Sequence, residues 1–368
     1  MKIDRIELHE IRMPLVHFFE TSFGRTTLRR VVLVRVYSEG LTGWGEVTCG
    51  ESPLYSYETP ETAWHILRDF LIPGSLKRAW ESPAEFGREF RMIRGHNMAK
   101  AALENALWDI QAQRQGVPLA RLLGGTMTEI PCGVSLGIQN RVEDLLEKIE
   151  TELAAGYQRI KVKIKPGWDV NVLERIREKF PQVSLMADAN SAYSLADIEH
   201  LKTFDRFYLM MVEQPLGWDD ILDHVRLQRV LATPVCLDES IHSAADARKA
   251  IEAGACKIIN IKLGRVGGHT AARETHNECQ TRKIPVWCGG MLESGIGRAH
   301  NIALSALPNF TLPGDVSASK RYWAQDIIEP EVTITPHGTI QVPTAAGLGF
   351  VPQVDRIERL SVRKESFA

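Results

Sequence analysis

Five ionisable residues recur along the sequence at nearly constant intervals, and each follows a short apolar run. Their successive separations are 25, 25, 25 and 24 residues, in the order lysine, acid, acid, acid, lysine. A strand, a helix and their two connections take up roughly 25 residues. Groups with this spacing are therefore expected at the same end of neighbouring parallel strands, where barrel enzymes carry their active sites. The five residues are Lys163, Asp188, Glu213, Asp238 and Lys262.

The three acids of this series predict a metal site. Carboxylates that converge without partners repel one another and raise each other's pKa. A divalent cation removes that conflict, and ligation by oxygen alone favours a hard ion such as Mg²⁺, with Mn²⁺ as a substitute. The predicted ligands are Asp188, Glu213 and Asp238.

The two lysines flank the acids and predict proton-transfer chemistry. Lys161 and Lys163 share one face of a strand, because side chains alternate with period two. A neighbouring ammonium and a cation should lower the pKa of Lys163 and improve it as a base. A lysine base beside Mg²⁺ suits removal of a proton alpha to a carboxylate, which produces an enediolate.

A plainer interpretation exists for each residue taken singly. One acid at a strand end is more often a helix cap or a solvated loop residue, and the run 161–165 could be a charged edge strand. A closed barrel has no edge strand, and five groups in register favour an active site.

The elements that must position these residues follow an alternating pattern from about residue 126. Eight strand-like runs within 200 residues, separated by helical segments such as 142–155 and 170–180, favour a (β/α) barrel. Periodicity alone leaves an open doubly wound sheet possible, although no G-x-G-x-x-G opens the first turn. The predicted strands lie near 132–136, 159–164, 183–188, 207–213, 234–238, 257–262, 284–288 and 309–312.

The two ends of the chain have a different pattern. Residues 1–125 predict an α+β domain, with strands at 31–37 and 41–47 and a helix over 98–114 that ends at Gly116. Residues 126–326 form the predicted barrel. The segment 327–368 contains a predicted hairpin, 332–335 with 340–342, that is expected to dock on the first domain.

Composition excludes several classes of protein. The 368 residues carry 44 Lys and Arg against 46 Asp and Glu, a net charge of -2, which does not suggest nucleic-acid binding. No apolar run approaches the roughly 18 residues of a membrane span, and the start lacks a secretory signal. Six scattered cysteines without a C-x-x-C pair argue against a zinc site or a disulfide framework. We expect a cytoplasmic protein.

A longer set of motifs resembles one enzyme family across nearly the whole chain. The pattern is similar to the o-succinylbenzoate synthase / N-succinylamino acid racemase family, in the muconate-lactonizing-enzyme subgroup of the enolase superfamily. The motifs that carry the resemblance are Thr21–Gly24, Asn97–Glu104, Lys161–Asp169, Asp188–Asn190, Glu213–Pro215, Leu237–Ser240, Asn260–Lys262 and Trp287–Met291.

The resemblance implies an α/β fold, a modified TIM barrel of the (β/α)7β type with an α+β capping domain formed by the N-terminal region and the C-terminal tail. It implies that Lys163 removes the alpha proton and then acts as the acid that expels hydroxide. It also implies that Lys262 stabilises the enediolate and is the second base in racemisation. Supporting positions beside these groups are Lys161, Asn190, Glu239 and Arg265.

The resemblance further implies a set of substrate contacts. A capping loop with Phe19 and Phe23 would close over the substrate, and the side-chain contacts would come from Ser135, Gly290, Met291 and Leu292. Core packing is an equally simple interpretation of these aromatic and aliphatic residues.

The implied reaction is the hydro-lyase step that converts 2-succinyl-6-hydroxy-2,4-cyclohexadiene-1-carboxylate into o-succinylbenzoate in menaquinone biosynthesis. N-acylamino acid racemisation as the main role and a muconate-type cycloisomerisation are the alternatives. The histidine base of mandelate-racemase-like enzymes and the Asp-x-Asp of dipeptide epimerases are missing, since 287–290 and 314–317 hold other residues. We expect a small carboxylate substrate, a homo-oligomer, and no nucleic-acid or membrane partner. A catalytically inactive barrel that serves as a scaffold is disfavoured, because all five groups in register are present.

Overall fold

The N-terminal region contains an antiparallel sheet, and a layer of helices packs against one face of this sheet. The computed structural model describes residues 1–368. Three long strands come first: β1 (Arg5–Thr21), β2 (Gly24–Ser38) and β3 (Leu41–Val47). Five helices follow, namely α1 (Pro60–Ile66), α2 (Ile72–Leu76), α3 (Pro83–Glu89), α4 (Asn97–Gln115) and α5 (Leu119–Leu123), with a π-helical turn at Leu67–Leu71 between α1 and α2.

The sequence pattern explains these elements. Both strands predicted at 31–37 and 41–47 are confirmed, the first as part of the longer β2. Helix α4 ends where Gly116 adopts a left-handed conformation, φ 66°, as the sequence predicted for its C-terminus. Val32 and Val34 of β2 pack against the helices, whereas Val31 and Leu33 face the rest of the molecule. The sheet is therefore buried on both faces.

The second region is a curled parallel sheet with strand order β11-β10-β9-β8-β7-β6-β5. A short strand, β4 (Glu129–Pro131), precedes it. The sheet strands are β5 (Gly133–Leu136), β6 (Arg159–Lys163), β7 (Leu185–Asp188), β8 (Val212–Glu213), β9 (Val235–Leu237), β10 (Ile258–Ile261) and β11 (Val286–Cys288). Seven of the eight predicted barrel strands are thus confirmed.

Helices connect these strands on the outside. They are α6 (Val142–Ala154), α7 (Val170–Lys179), α8 (Ile198–Lys202), α9 (Leu222–Val230), α10 (Ala244–Ala253), α11 (Leu263–Val266), α12 (His269–Thr281) and α13 (Gly295–Ser305). None of the helices in the chain combines the length and the apolar character that a membrane span requires.

The eighth strand predicted at 309–312 is wrong. That stretch is irregular, and the barrel is closed by the residues after it. The amide of Gly133 donates to the carbonyl oxygen of Gly314 at 2.8 Å, and the amide of Asp315 donates to that of Cys288 at 2.8 Å. Residues 314–315 therefore lie between β5 and β11, and their pairing is too short to form a regular strand.

The C-terminal segment contacts both regions. Its strands are β12 (Ile328–Glu329), β13 (Thr339–Gln341), β14 (Val351–Pro352) and β15 (Ser361–Phe367), with helix α14 (Val354–Leu360) before the last. The hairpin predicted from 332–335 and 340–342 is wrong, because β13 pairs with β4 beside the barrel instead. Only β15, which was not predicted, joins the N-terminal sheet, where it pairs antiparallel with β1.

Candidate active site

The carboxyl ends of the barrel strands bring the five predicted groups together. Parallel pairing aligns Lys163 of β6 with Asp188 of β7, and Asp188 with Glu213 of β8. Asp238 directly follows β9, and Lys262 directly follows β10. All three carboxylates are fully buried, so the charges of this cluster act on one another with little screening by water.

Lys163 is held by two oxygen acceptors. Its Nζ lies 2.6 Å from Asp188 Oδ2 and 2.8 Å from Asn190 Oδ1. Asn190 adopts φ 43°, a left-handed conformation that asparagine tolerates better than most residues, and its side chain turns back towards the lysine. Burial lowers the pKa of Lys163, and the Lys161 charge lowers it further against the opposing Asp188 charge. A lysine in this state loses its proton more readily, as a general base requires.

The pKa of Lys161 is shifted in the direction opposite to that of Lys163. Its Nζ lies 3.0 Å from Glu213 Oε2, 3.2 Å from Asp188 Oδ2 and 2.5 Å from Asp315 Oδ2. Burial alone would lower the pKa of Lys161, but the charges of Asp315, Glu213 and Asp188 outweigh burial and raise it. Lys161 therefore stays protonated, and its charge is the neighbouring ammonium that the sequence predicted beside Lys163.

Lys262 approaches the cluster from the other side. Its Nζ donates to Asp238 Oδ2 at 2.8 Å and lies 4.2 Å from the centre of the Tyr55 ring. Arg265 contacts the other oxygen of Asp238, and the Tyr55 hydroxyl donates to the same oxygen at 3.2 Å. Burial opposes protonation of Lys262, but Tyr55 and the nearby carboxylates Glu239, Glu213 and Asp188 raise its pKa. Lys163 and Lys262 thus differ in their charge environment.

The donor set fits a divalent cation. Burial and then the Asp188 charge raise the pKa of Glu213. A cation between the two carboxylates would relieve their mutual repulsion. Glu239 accepts from Asn190 Nδ2 at 3.0 Å through Oε1, while its buried Oε2 has no hydrogen-bond partner. No three carboxylates gather around one point in this structure, since Lys161, Lys163, Lys262 and Arg265 occupy their oxygens. The acidic side chains of the cluster offer oxygen donors only, which is the ligand chemistry that Mg²⁺ prefers.

A cavity of about 560 Å³ lies over this cluster, between the N-terminal sheet and the barrel. The wall of the cavity includes Lys161, Lys163, Asn190 and Lys262. The structure also places all six predicted substrate contacts in its lining: Phe19, Phe23, Ser135, Gly290, Met291 and Leu292. Their roles stay predictions. Of the remaining predicted supporting residues, Glu239 and Arg265 lie in the layer beneath the cavity, in contact with Asn190 and Asp238.

Three residues of the site escaped the sequence analysis. Tyr55 lies in the loop before α1 and contacts Asp238 across 183 positions of sequence, a pairing that no spacing could indicate. Arg159 donates to Asp315 at 2.7 Å, and Asp315 in turn contacts Lys161. Asp315 could have been found from its place at the barrel closure, had the last strand not been predicted at 309–312.

Comparisons with known proteins assign nearly the whole chain to one family. Residues 6–124 match the model "Mandelate racemase / muconate lactonizing enzyme, N-terminal domain", and residues 144–356 match "Enolase C-terminal domain-like". An o-succinylbenzoate synthase of Geobacillus kaustophilus is 54% identical over 98% of this chain and 96% of its own. An N-succinylamino acid racemase of Thermus thermophilus is 47% identical over 98% of both chains. A crystal structure of an enolase-superfamily member from Listeria innocua superposes with a TM-score of 0.96 at 40% identity, covering 100% of this chain and 99% of that one.

Proposed function

Because the chain belongs to the mandelate racemase / muconate lactonizing enzyme family of the enolase superfamily, we propose that it is an o-succinylbenzoate synthase. The substrate is 2-succinyl-6-hydroxy-2,4-cyclohexadiene-1-carboxylate, and the product is o-succinylbenzoate plus water, a step of menaquinone biosynthesis. The single observation that carries the proposal is that two buried lysines in different charge environments, Lys163 and Lys262, line one cavity above three buried carboxylates.

Lys163 performs both proton transfers of the dehydration. Its neutral amine takes the proton from the carbon that bears the ring carboxylate, and the electron pair left behind forms the enediolate. The resulting ammonium then gives its proton to the departing hydroxide, so that water leaves and Lys163 returns to the neutral form. The lowered pKa of Lys163 favours the neutral starting state, and its bonds to Asp188 and Asn190 orient the amine.

Asp188, Glu213 and Asp238 are the residues that would hold a divalent cation, with Mg²⁺ preferred for its oxygen ligands and Mn²⁺ as a substitute. When bound, such an ion supplies positive charge next to the oxygens of the enediolate. Lys262, with its raised pKa, remains protonated and adds a second positive charge on that side of the cavity.

N-succinylamino acid racemisation is the second candidate activity. Lys163 and Lys262 line the same cavity but contact different carboxylates, Asp188 and Asp238, so a substrate between them can meet a lysine on each face. One lysine would remove the alpha proton and the other would return a proton to the opposite face. The Thermus thermophilus relative, 47% identical, is named for this activity. The aromatic and aliphatic contacts Phe19, Phe23, Met291 and Leu292, with Ser135 and Gly290, would enclose the succinyl chain in both reactions.

The division of labour between the regions is also a proposal. Residues 1–125 and 327–368 would form the capping unit that covers the substrate, and residues 126–326 the barrel that carries the chemistry. We further propose a homo-oligomer, which sedimentation equilibrium of the purified chain would test.

The decisive experiment measures both reactions with one purified preparation. Loss of the cyclohexadiene substrate is followed by ultraviolet absorbance with Mg²⁺ present, and exchange of the alpha proton of N-succinylphenylalanine in D₂O is followed by NMR. Dehydration with a higher kcat/KM than racemisation supports a synthase, and the reverse ratio supports a racemase. Absence of both reactions would refute the assignment.

A further inference from the structure

Arg29 is a buried cation without any partner. The residue is 4% exposed, and the Nε and Nη2 atoms of its side chain are both buried and without a hydrogen-bond partner. The cost of burying this charge cannot be avoided by loss of the proton, because an arginine guanidinium stays charged under all ordinary conditions. A buried polar group without a partner therefore calls for a missing one.

Two other arginines of the molecule, one adjacent in sequence and one equally buried, have carboxylate partners. Arg30, the next residue, contacts Glu10, Glu51 and Glu61. Arg159, which is 1% exposed, donates to Asp315 at 2.7 Å and to a backbone carbonyl. The isolation of Arg29 is thus a local property of its position and not a general feature of arginines in this fold.

The position of Arg29 directs it to the active-site cavity. Arg29 lies on the same face of β2 as Val31 and Leu33, which pack into the core shared with the barrel. Met13, the residue opposite Arg29 on β1, belongs to that core as well. Arg29 itself lines the cavity that also contains Lys163 and Lys262.

We infer that Arg29 binds the distal carboxylate of the substrate's succinyl chain. This assignment rests on the proposed function, which requires a substrate with two carboxylates, one beside the catalytic lysines and one at the end of the acyl chain. Arginine matches a carboxylate with two parallel hydrogen bonds, and such charge-assisted pairs are strong where water is excluded. An acyl chain without the carboxylate would leave Arg29 buried and unpaired, so Arg29 would select succinyl over simple acyl substrates.

The test compares two ligands that differ only in the distal carboxylate. Binding of o-succinylbenzoate and of 2-butanoylbenzoate is measured by calorimetry with Mg²⁺ present, for the unaltered protein, Arg29→Met and Arg29→Lys. We expect the unaltered protein to favour o-succinylbenzoate by about 100-fold. Arg29→Met should bind both ligands equally, and Arg29→Lys should keep part of the preference because it retains the charge.

Arg35→Met is the matched control. Arg35 lies on the same face of β2 and contacts Glu7, but it does not line the cavity, so its replacement should leave the ligand preference unchanged. Arg29→Gln is the second variant should the methionine variant not fold. A full preference for o-succinylbenzoate in Arg29→Met or Arg29→Gln overturns the assignment while the proposed function stands. An unaltered protein that neither binds o-succinylbenzoate nor dehydrates the substrate overturns the proposed function, and the assignment with it.

Discussion

Two groups of buried carboxylates in this molecule have different hydrogen-bond partners: side-chain cations in one group and mainly backbone amides in the other. At the mouth of the barrel, Asp188, Glu213 and Asp238 are all in contact with lysine or arginine side chains. Burial would raise the pKa of Asp188, but Lys163 and Lys161 hold it well below its usual range. The partners of this group are side chains, which can rotate towards another acceptor.

The second group lies within the N-terminal region and at its contact with the barrel. Glu46 of β3 accepts from the amides of Ser294 and Gly297 at the start of α13, and Glu104 accepts from Thr270 near the start of α12. Glu58 accepts from two amides at the start of α4. Burial raises the pKa of Glu46, Glu58 and Glu104 to about 7 in each case, although their hydrogen bonds oppose it.

The two groups differ in the kind of partner that satisfies each buried carboxylate. A backbone amide at a helix start donates a hydrogen bond but transfers no proton, so the contacts of the second group fix one element against another. Side-chain cations can be displaced by a metal ion or by substrate, so the first group can take part in chemistry. Both groups are buried, and the type of partner distinguishes them.

Removal of divalent cations should have the largest effect. Chelation should abolish dehydration, a loss of more than about 10⁴-fold, because the carboxylates at the barrel mouth would then lack the ion proposed to stabilise the enediolate. Mg²⁺ should restore the rate, and calorimetric titration should show direct binding that Glu213→Gln weakens. Glu104→Gln, from the second group, should leave Mg²⁺ affinity unchanged. Full activity after chelation would contradict the comparison.

Replacement of the proposed base should come next. Lys163→Met should lower kcat for dehydration about 10⁴-fold, since both proposed proton transfers depend on this residue. The rate is measured by absorbance, and circular dichroism checks the fold. Lys165→Met, two residues further on at a half-buried position, is the control and should retain normal activity. A Lys163→Met variant with more than a tenth of the normal rate would exclude this role.

A third variant separates the two lysines. Lys262→Arg keeps a positive charge but cannot act as a base, so it should lower racemisation about 1,000-fold and dehydration much less. Both rates are measured on the same preparation by NMR and absorbance. Racemisation that survives in Lys262→Arg would rule out Lys262 as the second base.

The smallest expected effect is on the pH dependence of stability, and it concerns Glu58 of the second group of carboxylates. A carboxyl whose pKa is raised on folding contributes stability that is complete below pH 4.5 and is lost as the pH rises through about 7. Glu58→Gln removes the titrating group, so its stability should fall less than that of the unaltered protein between pH 5 and pH 8. The expected difference is on the order of 2 kcal/mol, measured by denaturant unfolding at both pH values. Parallel pH profiles for the two proteins would refute this account of Glu58.

Much of the barrel could be predicted from local pattern. Each of the first seven strands is a short apolar run followed by a helix, and the parallel register converts their even spacing into spatial neighbours such as Lys163 and Asp188. The eighth position failed because residues 314–315 make only isolated pairings, without the apolar run that marks a strand. Strand β15 was missed because its alternating charged residues gain their place only by pairing with β1.

The series of acids and lysines and the order of the elements that carry them follow from local pattern, since both depend on periodicity along the chain. The contact partners of the charged and polar residues depend instead on packing in three dimensions. Tyr55 meets Asp238, Asp315 meets Lys161, and Arg29 meets no partner at all. Local pattern cannot indicate these partners, because pKa and ion pairing depend on burial and on distances through space, and the residues concerned come from elements far apart in the chain.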